Sequence, residues 1–514
     1  MKKSLRPALP FAICTLFLVQ ATAEHHGKKD PPLQIGTRLE LFVDDHLIQE
    51  MEGVELRLQT PVPAGTVLTL DRPWEGGSST YTPVFPDGDG FRMYYRGSAR
   101  EQPFPLDTGK EKIPDHNEVT CVAESQDGVH WTRPSLGVHE FGGSRDNNIV
   151  WVDEPGEHRL SYCMAVFKDT TPQTPNSQRY KALGGCSYPL VPLVSEDGYH
   201  WKKLQGEESL LSEGLHSNAF DALSSAFWDP VREQYTLIFR DMDRGKSPVP
   251  GTSLPPPGDV INYGIRSFKY TSSTDFRSCT YPQWADFGDT PPEHLYTNGV
   301  TPYVRAPHIY LALPKRFEPW RRKFDGWTPG VSEGVFLSSR DGVHWDRRFM
   351  EAFVRPGRDP FNWGHRGNMA AVGVLQTAED ELSLYYQRNY GMPTAHMERL
   401  TLRVDGFVSV HAGVPGGEFV TRPITLEGES LVLNYSTSAA GSIRVEIQDE
   451  QGRPIPGFEL RDSPLIWGDE IEKSIVWKRP QSQTDRSPFK RLKGAAIRLR
   501  FHMKDADLYP LRFR

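Results

Sequence analysis

The chain has 514 residues, 37% hydrophobic, 11% aromatic and 24% charged, with 45 glycines and 43 prolines. That is globular composition at a length beyond one ordinary domain. Dense turn residues among recurrent Val, Tyr, Phe and Trp exclude wholesale disorder or a helical array and point to an all-β chain. A formal net charge of -7 with no long basic run argues against nucleic acid and against docking on an anionic membrane surface.

In chain order, Lys2, Lys3 and Arg6 precede an apolar stretch from Ala8 to Val19, and Ala21-Thr22-Ala23 supplies small residues before Glu24. This reads as a secretory signal peptide over residues 1–23, cut after Ala23, which sends the mature protein to the periplasm or the medium. The apolar core is too short for a bilayer of about 30 Å, and no other run approaches the roughly 18 apolar residues of a spanning helix, so no membrane insertion is expected. Residues 36–69 read as an N-terminal strand pair that wraps onto the propeller predicted below. Disulfides are permitted in an oxidising compartment. Cys163 and Cys186 flank a Pro/Asn/Gln-rich loop between two strand-like segments. A bridge would staple that hairpin, and free buried thiols are the alternative.

Internal repetition sets the architecture. Ser125-Gln126-Asp127-Gly128-Val129-His130-Trp131, Ser195-Glu196-Asp197-Gly198-Tyr199-His200-Trp201 and Ser339-Arg340-Asp341-Gly342-Val343-His344-Trp345 share one pattern, and degenerate copies occur around Asp275 and Asp405. The five aspartates are spaced by roughly 65 to 80 residues, room for four strands each. Asp-Gly makes a tight turn and Trp packs one hairpin on the next, so the motif reads as structural punctuation. Strand-rich segments open the units at residues 81–96, 148–167, 223–240, 303–314 and 369–387. Five four-stranded units arranged radially predict a five-bladed β-propeller over residues 70–410. Beyond Asp405-Gly406 the motif stops and alternating strands appear at 430–435, 442–449, 472–478 and 496–502, predicting a C-terminal β-sandwich over 411–514.

Five blades with these turns, a signal peptide and a C-terminal sandwich resemble the propeller glycoside hydrolases of families 32, 43, 68 and 130. The turn also resembles the Asp-box of sialidases, except that Gly directly follows Asp. Leu41-Phe42-Val43-Asp44-Asp45, Leu295-Tyr296-Thr297-Asn298, Arg305-Ala306-Pro307-His308-Ile309-Tyr310 and Asp505-Ala506-Asp507-Leu508-Tyr509 are similar to a group of secreted bacterial family-32-like proteins. The resemblance implies an axial funnel where the inner strands begin, with carboxylates from the first three blades. Glycosidic cleavage needs one carboxyl group to protonate the leaving oxygen and another as base or nucleophile.

By this analogy Asp146, in Ser144-Arg145-Asp146, is the blade-two counterpart of the family's Arg-Asp-Pro acid, and Asp221, after Phe220, stands where the families carry their acid Glu. The first blade opens with Ser78-Ser79-Thr80-Tyr81-Thr82, which lacks the expected Asp, leaving Glu75 to reach the axis if its loop folds back. Glu293 is the fourth candidate. Asn148, Asn298, Arg305, His308, Asp359, Trp363, His365, Arg366 and Asn368 are of the types that grip sugar hydroxyls or stack on a ring face, and local capping is the competing role for each. The partner expected is a carbohydrate. The chemistry requires no cofactor, and no Cys/His spacing resembles a zinc site; a structural Ca²⁺ on the axis stays open without being indicated.

Three readings follow. A secreted hydrolase of poly- or oligosaccharides with a carboxylate pair is the leading one. A non-catalytic propeller that binds glycans or proteins is the second, favoured by the missing first-blade acid. The third is a lyase or sialidase-like enzyme: a lyase would use His365-Arg366 or Arg305 with His308, and a sialidase would require convergent arginines beside a tyrosine.

Overall fold

The protein is described by a computed structural model over residues 31–99, 117–155, 158–185, 189–206, 208–211, 213–215, 219–243, 264–325, 329–364, 367–477 and 488–514. The signal-peptide segment and Cys186, with its expected pairing to Cys163, lie outside the described residues.

Five antiparallel sheets form the propeller. Blade one runs outward from the axis as Val84–Asp87, Gly90–Gly97, Val119–Ser125 and Trp131–Thr132; blade two as Ala165–Lys168, Tyr180–Gly184, Val191–Ser195 and Trp201–Lys203. Blade three comprises Ser225–Asp229, Gln234–Asp243, Ile265–Ser273 and Gln283–Trp284. Blade four comprises Val300–Tyr303, Ala306–Ala312, Leu337–Ser339 and Trp345–Asp346, with a hairpin of Lys315–Glu318 and Val331–Gly334 between its second and third strands. Blade five has Met369–Ala370, Glu381–Arg388 and His396–Arg403, and takes its outermost strand, Val62–Thr69, from the other end of the chain. The inner strands of blades one to four lie side by side. The ring closes through Val84 N–H to Val372 O and Val372 N–H to Thr82 O, each 2.8 Å, between blades five and one. The radial arrangement leaves only short inner edges, each covered by the neighbouring blade.

The repeated turns lie between third and fourth strands. In the first of them Ser125 Oγ accepts from Gly128 N–H at 2.8 Å, Asp127 Oδ1 accepts from the N–H groups of Val129 and His130 at 2.8 Å, and Trp131 Nε1 donates to Gly128 O at 3.1 Å. Each turn is gripped by the preceding blade. Tyr385 Oη donates to Gly128 O at 2.5 Å, Tyr94 Oη to Gly198 O at 3.0 Å, Arg232 to Arg340 O, and Tyr303 Oη to Asp405 at 2.6 Å, while Phe167 packs edge-on against Phe276 at 5.5 Å. Side chains at every boundary thus tie each turn to the blade before it.

Within residues 36–69, Glu40–Leu41, Ile48–Glu52 and Val54–Leu58 join the C-terminal sheet, and only Val62–Thr69 pairs with a blade. That nine-stranded sheet is organised on two long partners, Leu431–Asp449 and Ala496–Phe513. Register breaks between Leu433 and Tyr435 and between Thr437 and Ser442 bend it around Phe419, Val445, Phe458, Trp477 and Phe501. Ile149–Val152 does not open blade two. It adds to the third strand of blade one, because its partner is Val119–Cys121.

Candidate active site at the propeller axis

Just ahead of the inner strands the backbone takes a left-handed step in four blades, at Tyr81 (φ 57°), Phe220 (φ 67°), Gly299 (φ 56°) and Asn368 (φ 59°). Non-glycine residues hold that conformation at a cost of about 1–3 kcal/mol each, so packing must impose it. Opposite each step, the second strand or the hairpin that follows it carries a buried cation: Arg96, Arg240, Lys315 and Arg388. The backbones lock these pairs together. Thr80 and Arg96 exchange N–H···O bonds of 3.2 and 2.8 Å, Phe220 N–H donates to Arg240 O at 3.0 Å, and Lys315 N–H donates to Thr297 O at 3.2 Å. Arg388 Nη1 donates to Asn368 Oδ1 at 2.5 Å.

Arg96, 3% exposed, is held between two phenol rings, Tyr81 at 4.8 Å and Tyr162 at 4.3 Å from its guanidinium carbon. Its Nε and Nη2 donate to Ser78 O at 3.2 and 2.6 Å, and Nη2 also to Tyr390 Oη at 3.2 Å. Tyr162 belongs to a short 3₁₀ turn, Ser161–Cys163, directly before the inner strand of blade two. Burial, reinforced by the proximity of Tyr296, Tyr162, Cys163 and Asp221, pushes the Tyr81 phenol well above its ordinary range, and burial does the same to Tyr162. Both are protonated donors at neutral pH.

Asp221 lies beside this stack with its side chain 37% exposed, Oδ2 3.3 Å from Arg240 Nη1. Tyr296 of blade four completes the ring. Lys315 Nζ lies 4.2 Å, Arg266 5.1 Å and Arg240 5.3 Å from its ring centre. Tyr296 is 1% exposed, and its hydroxyl has no hydrogen-bond partner among the described residues. Burial and the neighbouring Arg266 hold His294 down at about 3, so it is neutral and accepts the Arg266 N–H on Nδ1 at 3.1 Å. All five blades therefore contribute to one mouth, through Tyr81 and Arg96, Tyr162, Asp221 and Arg240, Tyr296 and Lys315, and Asn368, Arg388 and Tyr390.

Of the four carboxylates selected from the sequence, Asp221 is at this mouth. Glu75 is buried against Arg133, with Nε to Oε1 and Nη2 to Oε2 both 2.8 Å, and takes the Tyr95 hydroxyl at 2.5 Å. Glu293 is clamped by Arg316 at 2.7 Å and Arg347 at 3.0 Å. Asp146 sits on an exposed loop ahead of Ile149–Val152. Glu75 and Glu293 are thus each committed to arginines, in different blades.

Asn148 and Asn298 are saturated internally. The first binds Tyr95 Oη, Val122 O and Trp74 Nε1; the second binds Leu223 O, Ile238 O, Ser225 Oγ and Val300 N–H and so staples blade three to blade four. Arg305 reaches Asp405 at 2.9 Å and Glu472 at 3.0 Å, and His308 lies 3.1 Å from Glu40, so both tie the propeller to the N- and C-terminal segments. Asp359 and Asn368 do come together on the axial side of blade five. Asp359 Oδ2 accepts from Asn389 Nδ2 at 3.1 Å, and Asn389 N–H donates to Asn362 Oδ1 while Asn368 Nδ2 donates to Asn362 O. Trp363 Nε1 donates to Gly357 O at 2.9 Å. His365 and Arg366 lie outside the described residues. No group of three or more His, Cys, Asp or Glu side chains converges as a metal site among the described residues.

The sequence reading missed Tyr81, Arg96, Tyr162, Arg240, Tyr296 and Tyr390 as site residues. Their signal was a cation recurring where a blade's second strand meets the axis, as in Tyr94-Tyr95-Arg96, Phe239-Arg240 and Tyr386-Gln387-Arg388.

No family model matches the chain, and no curated protein matches it. Solved structures similar to it include a glycoside hydrolase at 14% identity and TM-score 0.41, covering 67% of this chain and 92% of that one. Another is a glycoside hydrolase family 43 arabinoxylan arabinofuranohydrolase from Bacillus subtilis in complex with cellotetraose, at 13% identity and TM-score 0.38, covering 86% and 96%. A third is a beta-1,2-mannobiose phosphorylase from Listeria innocua in complex with beta-1,2-mannobiose, at 12% identity and TM-score 0.40, covering 66% and 94%. At such identities and scores the chemistry of the mouth has to be read from its own side chains.

Proposed function

We propose that the protein is an exported glycan-active enzyme, a hydrolase of glycosidic bonds, with the axial mouth as its active site and Asp221 as its proton-transferring carboxylate. The observation that carries this reading is Asp221 itself, a half-exposed carboxylate among phenol rings from three blades. Sugar rings present an apolar face and a hydroxyl rim, which suits stacked phenols beside charged groups. The Arg240 guanidinium, 3.3 Å from Oδ2, fixes the Asp221 carboxylate at the edge of the phenol stack.

In the proposed step, water attacks the anomeric carbon and gives its proton to Asp221 as the new C–O bond forms. The bond to the leaving oxygen breaks, that oxygen takes a proton from a phenol of the Tyr81–Tyr162 pair, and the phenol recovers a proton from Asp221. Glu75 and Glu293 have no part in this scheme, being engaged by arginines. The test is turnover of a panel of oligosaccharides and aryl glycosides by the mature protein and its Asp221→Asn variant. The variant should lose roughly 10²- to 10⁴-fold in rate while folding normally. Ordinary turnover by Asp221→Asn would overturn the assignment.

A further inference from the structure

We infer that the saccharide accepted at this mouth carries a carboxylate, a uronate or a comparable acidic sugar, seated on Arg96 and Tyr296. The inference rests on the glycan reading above and narrows it to a substrate class.

Three features of the mouth select an anion. The first is Arg96. Its hydrogen bonds go to a carbonyl and a phenol, both neutral, and two of its nitrogens make all of them, leaving Nη1 with no bond among the described residues. A buried guanidinium without a carboxylate is expensive to maintain, whereas one that receives a carboxylate from a ligand forms the stronger, charge-assisted type of hydrogen bond. Its plane is fixed by Tyr81 on one contact and Tyr162 on the other, and a fixed fork is what recognises a planar carboxylate.

The second feature is the buried Tyr296 hydroxyl, a donor with no acceptor among the described residues. Buried donors are nearly always satisfied in folded proteins, so one left open on the wall of a mouth marks a place for a ligand acceptor. Tyr296 is tied to Asp221, beside the Arg96 stack, through Arg240, whose guanidinium carbon lies 5.3 Å from the Tyr296 ring centre and whose Nη1 is 3.3 Å from the Asp221 carboxylate. The third feature is the field. Lys315, Arg266 and Arg240 lie 4.2, 5.1 and 5.3 Å from the Tyr296 ring centre, and Arg240 is paired with Asp221, so an acidic sugar would dock in the field of three cations and one carboxylate.

Binding of oligogalacturonides, their carboxyl-reduced counterparts and inorganic phosphate to the mature protein, measured by calorimetry at two salt concentrations, tests this. The acidic oligosaccharide should bind, the carboxyl-reduced one should bind roughly 10- to 100-fold more weakly, and the difference should shrink at high salt. Arg96→Lys, which keeps the charge but not the fork, and Tyr296→Phe, which keeps the ring, should each remove most of that difference, read as the ratio of acidic to carboxyl-reduced affinity in the same variant. Equal binding of acidic and reduced sugars would overturn the inference and leave the glycan reading standing. Phosphate binding tighter than the uronate would overturn it by making the mouth a general oxyanion site. Failure of every saccharide in the panel would refute the glycan reading together with it.

Discussion

Tyr296→Phe separates a functional hydroxyl from a structural one. The side chain is 1% exposed and its oxygen has lost water without gaining a partner among the described residues. An unsatisfied buried hydroxyl carries a desolvation penalty of about 1–3 kcal/mol, which phenylalanine does not. The ring stays, and with it the Lys315, Arg266 and Arg240 contacts and the tilted packing on Phe317 at 6.1 Å. The variant is therefore expected to be more stable by about 1–2 kcal/mol, read as a higher urea midpoint with an unchanged slope. Turnover of an accepted acidic saccharide should fall on the order of tenfold or more, chiefly through KM. Tyr386→Phe is the control, since Tyr386 has an equally buried hydroxyl with no partner among the described residues and belongs to the hydrophobic cluster of Phe336, Leu384 and Phe407, and it should gain stability with turnover intact. A destabilised Tyr296→Phe would refute the claim that the hydroxyl is unsatisfied, and a stabilised variant with full turnover would refute its place in the site.

Acid stability should carry the signature of His294. With its folded value near 3 and its ordinary value at 6.5, the unfolded chain binds the extra proton between those limits. Stability is complete above pH 6.5 and declines as pH falls toward 3, by an amount on the order of 4 kcal/mol; His294→Asn, whose amide oxygen replaces Nδ1 as acceptor, should flatten that limb in pH-dependent urea melts. Glu40 acts lower on the scale. Burial opposes its charge, but His308, Arg340 and Arg38 bring it to about 2 from 4.5, so its contribution is lost as pH falls from 4.5 through 2, and Glu40→Gln should abolish that component. Trp131→Ala, which removes an indole packed on Tyr385 at 5.5 Å, should cost about 3–5 kcal/mol and loosen the join of blades five and one, seen as faster amide exchange in Glu381–Arg388. Deleting residues 62–69 should leave His396–Arg403 as an open edge and produce concentration-dependent aggregation in light scattering.

The architecture was legible because its decisive interactions are local. The Ser-x-Asp-Gly turn is held by hydrogen bonds among residues within a few positions of one another, so its repetition in the sequence is the repetition of the blades. The site was less legible because its chemistry is assembled across blades. Asn148 and Asn298 have the composition of sugar-binding residues, yet backbone carbonyls already occupy their donors, and those partners come from strands remote in sequence. By analogy Asp146 stands at the start of a second blade, but the strand that follows it pairs with Val119–Cys121. Tyr162 instead precedes the inner strand of blade two, reached after a further turn that the alternation of apolar residues does not announce.

The topology also decides what the C-terminal sheet can do for the mouth. In an antiparallel blade the start of the first strand and the end of the second share one face, while the hairpin from first to second strand and the turn from third to fourth share the opposite face. Arg96, Arg240 and Arg388 stand on the first face, and the repeated turns stand on the second. Asp405 occupies the fifth turn position, but no outer strand follows it; the chain leaves the propeller there. Tyr303 and Arg305, in the first hairpin of blade four, hold Asp405, and Arg305 and Arg403 continue to Glu472 and Asp469 of the C-terminal sheet. The sheet is thus braced against the face opposite the one that carries Arg96, Arg240 and Arg388. It secures the fifth blade, whose outer strand must come from Val62–Thr69, and it leaves access to Asp221 to the connections between second and third strands, among them the hairpin of Lys315–Glu318 and Val331–Gly334.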